Sequence, residues 1–150
     1  MAEALLFPSR AWCEAAAEVL LADEEVQRAL AEFGLVTAGM VVERGDGLAS
    51  DFCLLARLRP GSADAGLGFP DDEDELEELE PDYIAWAPHS LCKQLLQAAL
   101  AGARPDPLRA VLERKVRLRG DLERLVKHAG RHRGAGLDAI RTVPTRFHGE

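Results

Sequence analysis

The sequence predicts an α+β domain. Two stretches with helical spacing near the start give way to alternating apolar and polar residues from Leu35, and a strong helical pattern returns only at Ser90. A length of 150 residues suits one domain with one core, so residues 1–150 are expected to form a single unit.

The elements follow in order. Ser9, after Pro8, is placed to cap a helix carrying Trp12, Ala16, Val19 and Leu20 at helical spacing. Asp23 is a second cap, followed by Glu24 and Glu25 where the helix dipole favours acids, and Val26, Leu30 and Phe33 form the buried stripe up to Gly34. Leu35 to Val42 and Asp51 to Arg59 read as strands joined by the hairpin chemistry of Glu43-Arg44-Gly45-Asp46-Gly47. A weaker third strand, with Ala65, Leu67 and Phe69 on one side, completes an expected antiparallel meander. Tyr83 to Ala87 reads as a short fourth strand, and Ser90 to Leu100 as a helix with Leu91, Leu95, Leu96 and Ala99 on one face and Gly102 past its end.

Composition narrows the function classes. The chain is 47% hydrophobic and 29% charged, ordinary values for a folded domain. Cys13, Cys53 and Cys92 are odd in number and far apart, which argues against a disulfide framework and is read as three reduced core thiols. No long apolar run is present, nor a basic start leading into one, so a cytoplasmic location is expected. The net charge of −8 is local, because eight acids lie between Asp71 and Glu80 and leave 18 acids against 18 bases elsewhere. That run is read as a solvated loop or frayed helical turn, its rival being an electrostatic latch onto the basic region from Arg104 to Arg133.

The most informative stretch runs from Pro105 to Leu122. Asp106 and Pro107 have the grammar of a helix start. Lys115-Val116-Arg117-Leu118-Arg119 then alternates cations with apolar residues, Gly120 breaks the strand, and Asp121 is placed to cap a last helix carrying Leu122, Leu125, Val126 and Ala129. Leu137 and Ile140 extend that stripe if the helix passes Gly130, Gly134 and Gly136.

These residues resemble the sterol carrier protein type 2 family of lipid-binding domains. The likeness rests on Pro105-Asp106-Pro107-Leu108, on Lys115 to Leu122, and on the ending Val143-Pro144-Thr145-Arg146-Phe147, which is similar to a tail seen in a bacterial subgroup. One departure is Arg114, where the family usually has glycine. The resemblance implies a five-stranded, mostly antiparallel sheet with helices packed on one face, enclosing an apolar tunnel for a sterol, fatty acid or fatty acyl-CoA. It implies lipid transfer or presentation without catalysis and without a cofactor.

The candidate ligand-binding residues are Met40, Phe52, Leu54, Leu67, Trp86, Leu91, Leu95, Leu125 and Phe147, each of which is equally at home in an ordinary core. A ligand is expected behind Val116 and Leu118, and residues 143–150 are expected to form a tail that serves as a lid if it folds over the sheet. The cations Arg104, Arg109, Lys115, Arg117, Arg119, Arg124 and Lys127 suit an acyl-CoA phosphate or a transiently met anionic membrane surface, against the simpler reading of a solvated face. Only 5% aromatic residues and overall acidity argue against nucleic acid. His128 and His132, four apart, share a helical face as metal ligands do, but the sequence identifies no third ligand and they are read as a surface pair. No GxSxG elbow or Gly-rich phosphate loop is present. The competing function class is a structural or protein-interaction module with a filled tunnel, meeting its partner through the acidic loop or the basic strand.

Overall fold

A computed structural model describes residues 3–132 and 134–149, leaving Arg133 of the basic region and Glu150 of the tail outside the described residues. Its centre is a mixed sheet in the order β3-β2-β4-β5, formed by β2 (Val36–Glu43), β3 (Phe52–Leu58), β4 (Tyr83–Pro88) and β5 (Arg117–Arg119). β2 and β3 form the expected antiparallel hairpin, with Ala38 opposite Ala56 and Met40 opposite Leu54. β4 runs parallel to β2, and β5 antiparallel to β4 with Leu118 opposite Ala85.

The expected three-strand meander and the five-stranded, mostly antiparallel sheet are therefore modified in two ways. Residues 65–69 do lie along the outer edge of β3, where Leu55 and Gly68 exchange backbone hydrogen bonds of 2.8 Å and Arg57 N donates to Ala65 O. Gly66, at φ +56°, turns the backbone away between these contacts and no full strand forms. The chain then crosses the face of the sheet before entering β4 on the far side of β2, and this crossover makes the pair parallel.

The crossover contains α3 (Glu73–Glu78), a capped helix where a solvated loop or frayed helical turn was expected from the acidic run. Like charges disfavour a helix here, but local and tertiary bonds offset that repulsion. Asp72 accepts from Glu75 N at 2.8 Å while Glu75 accepts from Asp71 N at 3.0 Å, a reciprocal cap. Leu76 is wholly buried with Val41, Cys53, Leu55, Ile84 and Trp86, so α3 is pinned to the sheet by one side chain. Glu73 accepts from Trp86 Nε1 at 2.9 Å, and Glu77 pairs with Arg119 at 2.9 Å. The latch onto the basic strand is thus an intramolecular contact, and α3 covers the face opposite the other helices.

The other face carries α1 (Arg10–Leu21), α2 (Glu24–Phe33) and α6 (Leu122–Arg131). Ser9, Asp23 and Asp121 cap them through bonds of 3.1 Å to Trp12 N, Val26 N and Arg124 N. α6 stops at His132, and Leu137–Ile140 form a separate short α7 after Gly136. Between strand β5 and α6, Gly120 has φ +136°, and a Cβ there would lie 2.4 Å from the Tyr83 ring. Ahead of β5 the chain enters from α5 (Pro107–Leu112) through Arg114 at φ +62°, so arginine occupies the left-handed position that glycine favours.

A second, two-stranded parallel sheet was not expected. β1 (Leu5–Phe7) pairs with β6 (Thr145–Phe147). Phe147 packs with Phe7, Trp12, Cys13 and Leu96, the last from α4 (His89–Leu100), and Trp12 Nε1 donates to Thr145 at 2.9 Å. His89, fully buried at the start of α4, places Nδ1 2.8 Å from the Gly45 carbonyl and ties the hairpin turn to this cluster. Among the described residues, no helix is long and apolar enough to cross a membrane.

Candidate functional site

The site follows from side-chain size on the strands. Alternation points Ala38 and Met40 of β2, Leu54, Ala56 and Leu58 of β3, Tyr83 and Ala85 of β4, and Leu118 of β5 toward α2 and α6. Ala38 faces Ala56 across one ladder, and Ala85 lies beside Met40 across the next, so the middle of this face is shallow. Val26, Leu30 and Phe33 of α2 and Leu125 of α6 stand over it. α6 has an apolar stripe but no fully buried residue, which means that it stands off the sheet instead of packing down onto it. The result is an open apolar groove of about 500 Å³. A second space of about 270 Å³ lies between α1 and β3, reaching Trp12, Leu20, Leu67 and Ile140. Val26, Leu30, Leu54, Ala56 and Leu58 line both, so the two spaces adjoin along β3.

Few polar groups border the groove. Tyr83 donates its hydroxyl to Asp121 O at 3.0 Å, and burial, helped by the charge of Asp121, pushes its phenol above the ordinary range. The His128 imidazole lines the groove and packs edge-on against Phe33 with ring centres 4.8 Å apart. Burial and then the neighbouring His132 depress its basicity. Arg124 lies over the Phe33 ring at 4.3 Å and donates to the Phe33 carbonyl. In the adjoining space, burial pushes the Cys13 thiol up to about 12, which disfavours its thiolate form.

One polar cluster sits at the rim. His132 Nε2 lies 2.6 Å from Glu32 Oε2, a contact that, with the cations beside it, holds the Glu32 carboxyl below its ordinary range. One ligand atom from each of Glu32, His128 and His132 falls within 4.8 Å of the others. Glu32, on α2, is the third partner that the spacing of the two histidines could not supply.

The structure separates the nine sequence candidates. Met40, Leu54 and Leu125 line the larger groove, while Leu54 and Leu67 line the smaller space. Trp86 does not face either: it lies on the opposite side of the sheet under α3, with Arg117 stacked on its ring at 4.8 Å. Because Tyr83 to Ala87 is apolar throughout, the strand offers no alternation from which to read its inward side. Phe52 packs with Phe69 beside the Phe7 and Trp12 cluster, and Phe147 is held in β6, so neither lines the two spaces. Leu91 and Leu95 are half-buried on α4 and do not line them either. Of residues 143–147, Thr145–Phe147 form a strand of the smaller sheet, and none of the five lines either space.

Of Val116 and Leu118, Leu118 lines the groove on the side expected for it, Val116 lies ahead of β5 and does not, and Arg117 and Arg119 face the other way. Arg109 and Lys115 both pair with Glu113, at 2.6 and 3.0 Å. Among residues not singled out, Ala38, Ala56 and Ala85 matter most, since their small size creates the space. Their signal was a coincidence of register across three strands, which a linear reading does not contain.

No protein-family model matches the sequence, and neither does any curated protein. Solved structures do resemble this chain. A conserved hypothetical protein of Thermus thermophilus that carries a provisional sterol-carrier designation superposes with a TM-score of 0.69 at 18% identity, covering 97% of this chain and 94% of its own. A crystal structure of sterol carrier protein 2 gives 0.65 at 18% identity, covering 90% and 97%. The sterol carrier protein domain 2 of Helicoverpa armigera gives 0.55 at 15% identity, covering 84% and 86%. With a mixed sheet, α1, α2 and α6 over one face and a groove beneath α2 and α6, the chain has the sterol carrier protein 2 fold.

Proposed function

We propose that the protein binds an apolar lipid, such as a sterol, fatty acid or fatty acyl-CoA, without catalysis, and transfers or presents it. The observation that carries this reading is the groove of about 500 Å³ over Ala38, Ala56 and Ala85, a size within the usual range for small-molecule sites and with apolar walls. Likeness to sterol carrier structures is consistent with it. A module with a filled tunnel would need large side chains at those three alanines.

Energetics select the class of guest. Each buried methylene contributes roughly 0.8 kcal/mol, while association costs at least about 4 kcal/mol. Micromolar binding, about 8.2 kcal/mol, therefore requires on the order of fifteen buried methylenes. A long acyl chain or a sterol meets that requirement and a short acid does not. The groove offers few fixed donors, so recognition rests on length and shape more than on the head group.

The test is native mass spectrometry of gently purified protein, combined with displacement of a fluorescent fatty acid. Bound lipid in the wild type is expected, and Ala85→Leu, which fills the floor of the groove, is expected to weaken uptake about four- to fifteenfold by occupying the space of one to two methylenes. A reproducibly empty wild-type protein that ignores fatty acids, acyl-CoA and sterols would sink the proposal.

A further inference from the structure

We propose that Glu32, His128 and His132 form a site for a divalent first-row transition cation, with zinc as the reference ion, that joins α2 to α6 at the rim of the groove. The basis is geometric and independent of lipid binding.

His128 and His132 are one helical turn apart, so their imidazoles project together, and their ring centres are 4.9 Å apart. Glu32 approaches from the neighbouring helix, placing a carboxylate oxygen 2.6 Å from His132 Nε2. The three ligand atoms already lie within 4.8 Å of one another. A tetrahedral ion with bonds of about 2.0–2.1 Å sets its ligands about 3.3 Å apart. The hydrogen-bonded pair must therefore open by less than about 1 Å, and a pair at the 4.8 Å limit must close by about 1.5 Å, both of which partly exposed side chains reach by rotation.

Two imidazoles and one carboxylate are a donor set suited to zinc, nickel or copper rather than to magnesium or calcium. The set leaves a fourth position for water. Surroundings supply both support and access. His128 is backed by the Phe33 ring, which limits its rotation. On the solvent side, a polar recess bordered by Glu25, Arg28, Arg131 and His132 gives an ion a route to the cluster. Arg131 is the competitor, its guanidinium 3.9 Å from the same Glu32 oxygen, and being more than half exposed it is free to swing away.

The full chain, treated with chelator and then titrated with cobalt and zinc, provides the test. One equivalent of cobalt is expected to bind with the visible absorption of a tetrahedral site lacking thiolate, and zinc to displace it. Loss of an outer-sphere partner alone costs metal sites roughly 10–100-fold, so Glu32→Gln and His132→Gln are each expected to weaken binding at least about tenfold. Arg131→Gln is expected to strengthen it, and Glu14→Gln, on the far helix α1, to leave it unchanged. Glu32 is exposed and its amide replacement is isosteric, so a native circular dichroism spectrum can be required of that variant. The proposal is overturned by the absence of saturable binding, by thiolate-to-cobalt charge transfer, or by binding that survives both Glu32→Gln and His132→Gln.

Discussion

On one face of the central sheet, Leu55, Leu76 and Ile84 are wholly buried around a helix of six residues. On the other face, two longer helices stand over Ala38, Ala56 and Ala85 and leave about 500 Å³ open. The same strands supply both surfaces, so the difference lies in which residue sizes fall on odd and even positions. Packing is divided accordingly: the α3 face is filled and holds the sheet, while the α2 and α6 face is left incompletely filled. The largest effect that can test this division is Leu76→Ala. Removing a wholly buried leucine from a filled cluster is expected to cost about 2–5 kcal/mol, read as a lower urea midpoint. Leu125→Ala, at a half-buried position beside space that is already open, is expected to cost less than half as much. Equal losses would mean that the two faces are packed alike.

A second contrast adds atoms instead of removing them. A Cβ built on Gly39 would sit 3.0 Å from Leu76 Cδ1 and 3.3 Å from its Cγ, and Leu76 is wholly buried. Gly39→Ala is therefore expected to destabilise by about 1–3 kcal/mol, the usual cost of overpacking a filled core. The neighbouring Ala38→Val, which points into the groove, is expected to change stability by less than about 1 kcal/mol. Paired denaturation curves check both. A large loss for Ala38→Val would show that the groove closes in solution.

The parts of this arrangement that were legible in the sequence are those with local physical causes. The caps at Ser9, Asp23 and Asp121, the hairpin of β2 and β3, and the basic strand ending at Gly120 are all specified within a few residues. What could not be read depends on encounters between distant segments. The pairing of Leu5–Phe7 with Thr145–Phe147 joins two three-residue strands from opposite ends of the chain. Trp86 and Ala85 could not be assigned to faces, because β4 is apolar on both. The acidic run reads as a loop or frayed helical turn because its repulsion is visible in sequence, whereas Leu76 under the sheet, the Trp86 donor and the Arg119 partner are not. Glu32 entered the histidine cluster for the same reason, from a helix 100 residues earlier.

The smallest predicted effect concerns that acidic helix and decides whether its charge serves anything beyond docking. Glu77 and Arg119 meet at 2.9 Å with side chains about 38% and 54% exposed, so water screens much of their attraction. Glu77→Gln is expected to cost below about 1 kcal/mol, a difference that should vanish near 1 M salt, where the screening length is about 3 Å. Because Arg119 and Trp86 lie across the sheet from Leu118, the substitution is expected to leave lipid uptake unchanged while altering Trp86 fluorescence through the stacked Arg119. If Glu77→Gln instead weakened lipid uptake, the sheet would be transmitting a change from its packed face to its open one. The alanines over which the groove is built would then be a flexible floor set by α3, and the division between the two faces would have to be given up.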